Sequence, residues 1–157
     1  MINLISSTLI HRPANVVFDF VSTPENDFQW QYGTLATASL PKGTGTTRTF
    51  FRSIGHLLGR RNLGTFEVTE YKPNRKYGFK SLSGLLHSKT SYILKSVSGR
   101  TRINISIQAS APNFFQLNEA RLRKTMEKQL KEDVARLKDI LETNTTDFRD
   151  NQDAIKK

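Results

Sequence analysis

The sequence predicts a single α+β domain in which a curved, seven-stranded antiparallel sheet wraps around one long C-terminal helix. Two patterns lead to this prediction. Between Thr34 and Ser110, segments of alternating apolar and polar residues follow one another and are separated by turn residues, as in an antiparallel meander. A segment without glycine or proline then has apolar residues at helical spacing. With 157 residues, 36% of them hydrophobic, the chain can bury one sizeable core.

The N-terminal region predicts one strand followed by two short helices. Leu4 to Ile10 mixes apolar and β-branched residues, as a first strand does. Pro13 suits the first turn of a helix, and apolar residues recur at helical spacing after it. The segment from Pro24 to Trp30 predicts a second helical turn that is anchored by the tryptophan. The apolar positions of the first helix are Val16, Val17, Phe20 and Val21.

Six further strands are predicted from period-two alternation and from the turn residues between the segments. Breaks such as Lys72-Pro73-Asn74 and Ser98-Gly99 separate the segments, and short connections of this kind join antiparallel strands. Their centres lie near residues 34–39, 46–53, 64–71, 76–82, 87–97 and 101–110.

Alternation also assigns the two faces of the sheet. In the last strand Ile103, Ile105 and Ile107 share one face while Arg102 and Gln108 share the other. Extended to the other strands, this rule makes the inner face apolar and aromatic and the outer face basic. The residues predicted on the basic outer face are Arg48, Arg52, Lys76, Lys80, Lys89, Lys95 and Arg102, with Arg60 and Arg61 at a hairpin tip.

The C-terminal helix is predicted from about Phe115 to Glu142 and covers the inner face. A coiled-coil dimer is the alternative reading of its apolar stripe, but the sheet already offers an apolar surface that needs cover. Residues 144–157 are polar and are predicted to be a frayed tail, so the domain spans residues 1–143. The stripe consists of Leu117, Leu122, Met126, Leu130, Val134, Leu137 and Leu141.

Composition excludes several classes of function. The chain has no cysteine, which removes thiolate metal sites and cysteine nucleophiles. His11, His56 and His87 lack the spacing of metal ligands or of a catalytic triad. No cofactor is therefore predicted. The N-terminus lacks the features of a signal peptide, and no apolar segment is long enough to span a membrane, which predicts a cytoplasmic protein.

The net charge of +10 is concentrated in the middle of the chain. The segment from Phe28 to Asn118 contains 13 Lys and Arg, and its only acidic residues are Glu67 and Glu70. A basic surface of this kind is most simply a solvated face, and weak contact with an anionic membrane is the functional alternative. Nucleic acid is not favoured as a partner because the outer face offers little beyond Phe50 for base stacking. The oligomeric state is not indicated.

Local motifs accompany these elements in a fixed order. A Pro-Ala pair opens the first helix, a tryptophan follows the second, and a Tyr-Lys-Pro sequence ends a strand at a turn. The segments that contain the motifs are Arg12 to Phe18, Trp30, Glu70 to Pro73, Gly99 to Ile103 and Leu137 to Glu142.

Together these motifs resemble the START and birch-pollen-allergen-like superfamily (SRPBCC), and within it the polyketide cyclase/dehydrase and lipid transport group. The resemblance covers about residues 3 to 142 and implies the helix-grip fold, with a cavity between the sheet and the final helix. It does not imply one function, because this superfamily includes lipid carriers, cyclases and chaperone cofactors. The segment from Ile54 to Arg61 departs from the pattern as a longer and more basic hairpin tip.

We expect a hydrophobic small molecule or lipid to bind in this cavity, since ligand sites are mostly apolar with a few polar groups. The alternative is that the same residues simply fill a packed core. The residues predicted to bind the ligand are Trp30, Thr49, Phe51, Phe66, Val68, Tyr77, Phe79, Tyr92, Leu94, Ile105, Leu122 and Met126.

Two further functions remain open, an enzyme of the cyclase or hydrolase kind and a protein-interaction module. Glu70 is the one weak catalytic candidate, because it shares parity with Phe66 and Val68 and would point inward as a proton-transfer group. Its other reading is a surface carboxylate that pairs with a neighbouring Lys or Arg.

Overall fold

The computed structural model describes residues 1–42, 48–110 and 119–143 in full and the backbone of residues 144–156. It contains the predicted order of a strand, short helices, a meander and a long helix. A 3-10 turn at Pro24–Asn26 lies between the first two helices. The elements are β1 (Ile2–Ile10), α1 (Ala14–Val21), α2 (Asp27–Trp30), β2 (Thr34–Ser39), β3 (Phe50–Leu57), β4 (Arg60–Lys72), β5 (Lys76–Ser81), β6 (His87–Val97), β7 (Arg100–Ser110) and α3 (Glu119–Lys156).

The seven strands form one antiparallel sheet in the order β1-β7-β6-β5-β4-β3-β2, so the predicted sheet is confirmed. β1 and β2 are its two edges. The hairpin tip at residues 54–61 is paired over most of its length, because β3 continues to Leu57 and β4 begins at Arg60. Leu58 and Gly59 have φ angles of 50° and 77°, and such left-handed pairs form two-residue hairpin turns. Part of the predicted 46–53 strand, Thr47 included, lies outside the described residues.

Helix α3 covers the inner face of the sheet with its apolar stripe, as predicted. Leu137 is fully buried and Met126 is half-buried. The helix runs alongside β1 in the same direction: the Met1 amino group is 3.0 Å from Glu119 Oε1, and the His11 N–H donates to Glu142 Oε1 at 2.9 Å. Leu117 and Phe115 lie outside the described residues. The other buried stripe residues are Leu122, Leu130, Val134 and Leu141.

The predicted faces hold in most strands and fail at one position. Phe51, Tyr77 and Tyr92 are buried on the inner face. In β4, however, Val68 pairs with Phe79 while Glu70 pairs with Gly78, so β4 has one residue more than β5 and forms a β-bulge. A bulge reverses the alternation beyond it.

Helix α2 is short, and its position is set by contacts with α3 and β6. Trp30 is buried and meets the Tyr92 ring edge-on with centroids 5.9 Å apart. The Tyr32 N–H donates to Asp133 Oδ1 at 3.0 Å, and Arg136 Nη1 donates to the Trp30 carbonyl at 3.2 Å. These bonds satisfy backbone groups at the end of α2, which a four-residue helix cannot satisfy internally.

Truncation of a buried stripe residue should cost far more stability than the same change on the surface. We expect Leu137→Ala to lower the free energy of unfolding by about 2 to 5 kcal/mol, because the side chain is fully buried. Leu63 is 62% exposed on β4, and Leu63→Ala should cost less than about 1 kcal/mol. Urea unfolding measures both, and equal losses would contradict the packing described for α3.

Candidate ligand-binding site

Two adjoining cavities lie on the inner side of the sheet, the larger between the sheet and α3 and the smaller between α2 and strands β2 to β5. The first has a volume of about 190 Å³ and the second about 140 Å³. They share the residues that follow α2 and one residue of β4, namely Gln31, Gly33, Thr34 and Asn62. The first cavity is otherwise lined by Leu4, His56, Leu57, Leu86, Ile107, Met126, Gln129, Leu130 and Asp133, and the second by Asp27, Phe51, Ser53, Gly55, Gly64, Phe66 and Phe79.

Three glycines, Gly33, Gly55 and Gly64, form part of the wall of the smaller cavity at points where the chain passes close to its neighbours. β3 passes close to the backbone between α2 and β2, where the His56 N–H donates to the Gly33 carbonyl at 2.8 Å. A Cβ added at Gly55 would lie 2.0 Å from that carbonyl oxygen, so only glycine fits there.

The inner aromatic residues mostly pack against one another. Phe51 and Phe66 stack with centroids 5.1 Å apart, and Phe79 meets Phe51 edge-on at 5.2 Å. Tyr77 and Tyr92 continue the cluster, with centroids 5.9 Å apart. Contacts of this kind stabilise a core beyond the area that they bury. Much of the predicted ligand-binding set is therefore the packed core itself.

Four of the twelve residues predicted to bind the ligand line a cavity, namely Phe51, Phe66, Phe79 and Met126. Thr49 and Val68 are half-buried and line neither cavity. The remaining predicted residues are buried in the core away from the cavity walls, and they are Trp30, Tyr77, Tyr92, Leu94, Ile105 and Leu122.

The most unusual group in the walls is the carboxyl of Asp27, which the sequence reasoning missed. It is 7% exposed and lines the smaller cavity. Within the described part of the chain this carboxyl has no hydrogen bond or ion pair. Burial, with a smaller effect from the Glu25 charge, raises the pKa of Asp27 from its ordinary 3.8 to about 8. The carboxyl is therefore mostly protonated at neutral pH.

A signal for Asp27 is present in the sequence. It precedes Trp30 by three residues, and residues at this spacing share one face of a helix. Because the tryptophan anchors that face in the core, the aspartate on the same face is drawn toward the core with it.

Asp133 of α3 supplies a second carboxyl at the larger cavity. Burial raises its pKa to about 6, although the Tyr32 N–H and the Arg136 guanidinium, 3.6 Å away, act in the opposite direction. Unlike Asp27, it therefore has partners, and it is mostly ionised at neutral pH. Its main structural role is to hold the end of α2.

The inward orientation that strict alternation predicts for Glu70 is wrong. The bulge in β4 places Glu70 opposite Gly78, and its carboxylate is 3.0 Å from Lys76 Nζ. Lys76 belongs to the basic outer face. Glu70 therefore lies across the sheet from the cavities and forms the surface ion pair that was the other reading of this residue.

The outer face is basic, as predicted, and part of its charge is paired. The Glu67 carboxylate forms ion pairs with Arg48 Nε at 2.7 Å and with Lys80 Nζ at 3.7 Å. Cross-strand neighbours such as Lys95 and Arg102 carry like charges. Contact of this face with an anionic membrane stays a prediction. No helix in the described part of the chain is long and apolar enough to cross a bilayer.

A surface groove of about 490 Å³ lies between β1 and α3. Charged side chains of α3 form much of its wall, including Lys124, Lys128 and Lys131. Leu4 and Leu130 border both this groove and the larger cavity. Among residues 1–42, 48–110 and 119–143, no cluster of three or more potential metal ligands occurs.

Solved structures with the same fold share little sequence identity with this chain. TTHA0849 from Thermus thermophilus superimposes with a TM-score of 0.74 at 15% identity, over 88% of this chain and 96% of that one. The Zhui aromatase/cyclase from Streptomyces sp. R1128 gives 0.74 at 14% identity, over 91% and 94%. A START superfamily protein from Mycobacterium smegmatis gives 0.74 at 12% identity, over 89% and 97%. At these identities the likeness establishes the helix-grip fold alone.

No curated protein matches the chain in sequence. The family described as "Polyketide cyclase / dehydrase and lipid transport" matches it over residues 1–142, which includes every strand and the part of α3 that covers the sheet. The chain therefore belongs to the polyketide cyclase/dehydrase and lipid transport family.

Proposed function

We propose that this protein binds a small hydrophobic molecule in the two adjoining cavities, of which the larger lies between the sheet and α3 and the smaller between α2 and the sheet. The observation that carries the proposal is the wall of the larger cavity, where Leu57, Leu86, Ile107 and Met126 surround about 190 Å³. Gln31, Thr34 and Asn62 supply polar groups where the two cavities meet. A mostly apolar wall with a few polar groups is typical of small-molecule sites.

The size of the cavities limits the ligand. Sites for drug-sized molecules measure about 300 to 1,000 Å³, and the two cavities together, at about 190 and 140 Å³, reach only the lower end of this range. A compact ligand with an apolar body in the larger cavity and one polar group toward Asp27 fits this division. A long-chain lipid does not fit in the volume that the cavities offer.

Filling the larger cavity should abolish binding of a small apolar probe. We expect Ile107→Trp to weaken the affinity for butylbenzene at least about ten-fold, or 1.4 kcal/mol, because the indole occupies the ligand's space. Ile5→Trp is the matched control, since Ile5 is 78% exposed. Isothermal titration calorimetry measures both variants, with circular dichroism to confirm folding. The proposal fails if wild type does not bind the probe or if both variants bind it equally.

A second candidate function is catalysis on a ligand in the same cavities, with Asp27 rather than Glu70 as the proton-transfer group. Asp27 is buried, unpartnered within the described residues and directed at a cavity. A carboxyl whose pKa lies near neutral pH can both donate and accept a proton. The solved aromatase/cyclase that shares the fold makes this chemistry a reasonable extension of ligand binding.

The raised pKa of Asp27 has a measurable consequence for stability. Because the native state holds this proton between about pH 4 and pH 8 while the unfolded state has lost it, stability falls as pH rises through that window. Asp27→Asn removes the effect, so the variant should become more stable than wild type as pH rises. Each pKa unit corresponds to about 1.4 kcal/mol, so a gap of several kcal/mol is the upper limit.

Thermal unfolding at pH 5 to 8 tests this expectation. Asp139→Asn is the control, because Asp139 is exposed on α3 and its substitution removes no buried charge. The difference in stability between this variant and wild type should therefore change little with pH. A gap between Asp27→Asn and wild type that stays constant over this range would show that Asp27 titrates normally, and Asp27 would then lose its place as a proton-transfer group.

A further inference from the structure

Basic side chains and buried carboxyls lie on opposite sides of the sheet in this protein. The outer face is basic, whereas neither cavity has a lysine or arginine in its wall among the described residues. The two walls contain two carboxyls, Asp27 and Asp133, together with His56. Arg136 reaches Asp133 but donates to the Trp30 carbonyl as well. In the described part of the chain, the wall of the smaller cavity therefore contains an acid and no cation.

Asp27 has the surroundings of a cation site in which a ligand supplies the cation. Its side chain is buried, with 7% of the residue exposed, and the three rings that line the same cavity are Phe51, Phe66 and Phe79. Aromatic ring faces attract ammonium groups, and the attraction is stronger when the pair is desolvated. A carboxylate and aromatic rings around one small space are complementary to an ammonium group.

We propose that the smaller cavity binds the ammonium group of a small amine, with Asp27 as its carboxylate partner and the apolar body of the amine in the larger cavity. This inference rests on the proposed function, because both use the same cavities. It assigns the ligand a chemical class, a primary or secondary amine with a compact apolar body. The Ser53 hydroxyl lines the same cavity and can accept from a remaining N–H group. The side-chain oxygens of Gln31 and Asn62 accept from Thr34 Oγ1 and the Leu85 N–H, and each has a second lone pair for the ammonium group.

The energetic reason is that an ammonium group supplies the charged partner that the Asp27 carboxylate lacks among the described residues. A buried carboxylate without a partner is costly, whereas a desolvated ion pair with good hydrogen bonds is tolerated. A ligand carbonyl would instead accept a hydrogen bond from the protonated acid. The two ligand classes therefore require opposite protonation states of Asp27, and pH distinguishes them.

The groups that face Asp27 do not obscure this test between pH 7 and pH 9. Glu25 has a lowered pKa, chiefly because the Ser39 N–H donates to it, so it stays ionised. Burial raises the pKa of Tyr77 and Tyr92, and both stay neutral. Asp133, beside Arg136, has a pKa of about 6 and is already ionised. His56 lines the larger cavity and not the smaller cavity that contains Asp27, and it pairs across the strands with Arg61.

Three probes of nearly equal shape separate the possibilities: 3-phenylpropylamine, 3-phenylpropanol and 4-phenylbutan-2-one. Their affinities for the full chain are measured by calorimetry at constant ionic strength from pH 7 to pH 9. Because the carboxylate fraction of Asp27 rises about ten-fold over this range and the amine stays protonated, amine affinity should rise about ten-fold. The affinity for the alcohol should be lower than that for the amine and should change little.

Asp27→Asn should reduce amine affinity to that of the alcohol and remove its pH dependence, whereas the control Asp139→Asn should leave both unchanged. The inference is overturned, with the proposed function intact, if the ketone binds best and its affinity falls about ten-fold from pH 7 to pH 9. It is also overturned if all three probes bind equally. If none binds, the proposed function fails as well. The wild-type pH profile decides the question even if Asp27→Asn does not fold.

Discussion

Helix α3 has to cover the concave inner face of a sheet that is too wide for a single helix to cover completely. The apolar stripe from Leu122 to Leu141 meets the sheet along β1, and the aromatic cluster fills the middle of the inner face. Near α2 and the β3–β4 hairpin the cover is incomplete. Gly33, Gly55 and Gly64 form part of the wall of the space that remains there, and neighbouring atoms leave little room for a Cβ at these positions.

Helix α2 places an ionisable side chain, Asp27, at the cavity that this incomplete cover leaves. Trp30 anchors the helix in the core, and the bonds from Tyr32 to Asp133 and from Arg136 to the Trp30 carbonyl tie it to α3. One turn earlier on the same face, Asp27 is carried into the interior with the tryptophan. Its desolvation is a by-product of this anchoring, and the stability that it costs is offset by the aromatic core around it. Sites that sacrifice stability in this way are frequently functional.

The two faces of the sheet serve different electrostatic roles. Outside, lysines and arginines surround two glutamates that pair with three of them, which leaves this surface with a strong excess of positive charge. Inside, the described cavity walls hold carboxyls and aromatic rings. Dissolved salt screens the exposed outer charges over about 10 Å at 0.1 M ionic strength, so the basic surface does not cancel the preference of the interior for a cation.

Hydrophobic periodicity reports directly which side of each element is buried, and for this reason the sequence is sufficient to predict the element order, the antiparallel sheet, the covering helix and most side-chain faces. It also points to Phe51, Phe66, Phe79 and Met126 at the cavities. Which buried residues touch empty space emerges only when the elements pack, since a filled core and a cavity wall have the same composition. The bulge that turns Glu70 outward depends on pairing with β5, and the burial of Asp27 depends on contacts between α2 and α3, 101 residues apart at Tyr32 and Asp133. The three-residue spacing to Trp30 indicates the face of α2 on which Asp27 lies, but the depth of its burial and the register of the β4–β5 pair are decided only when these elements pack.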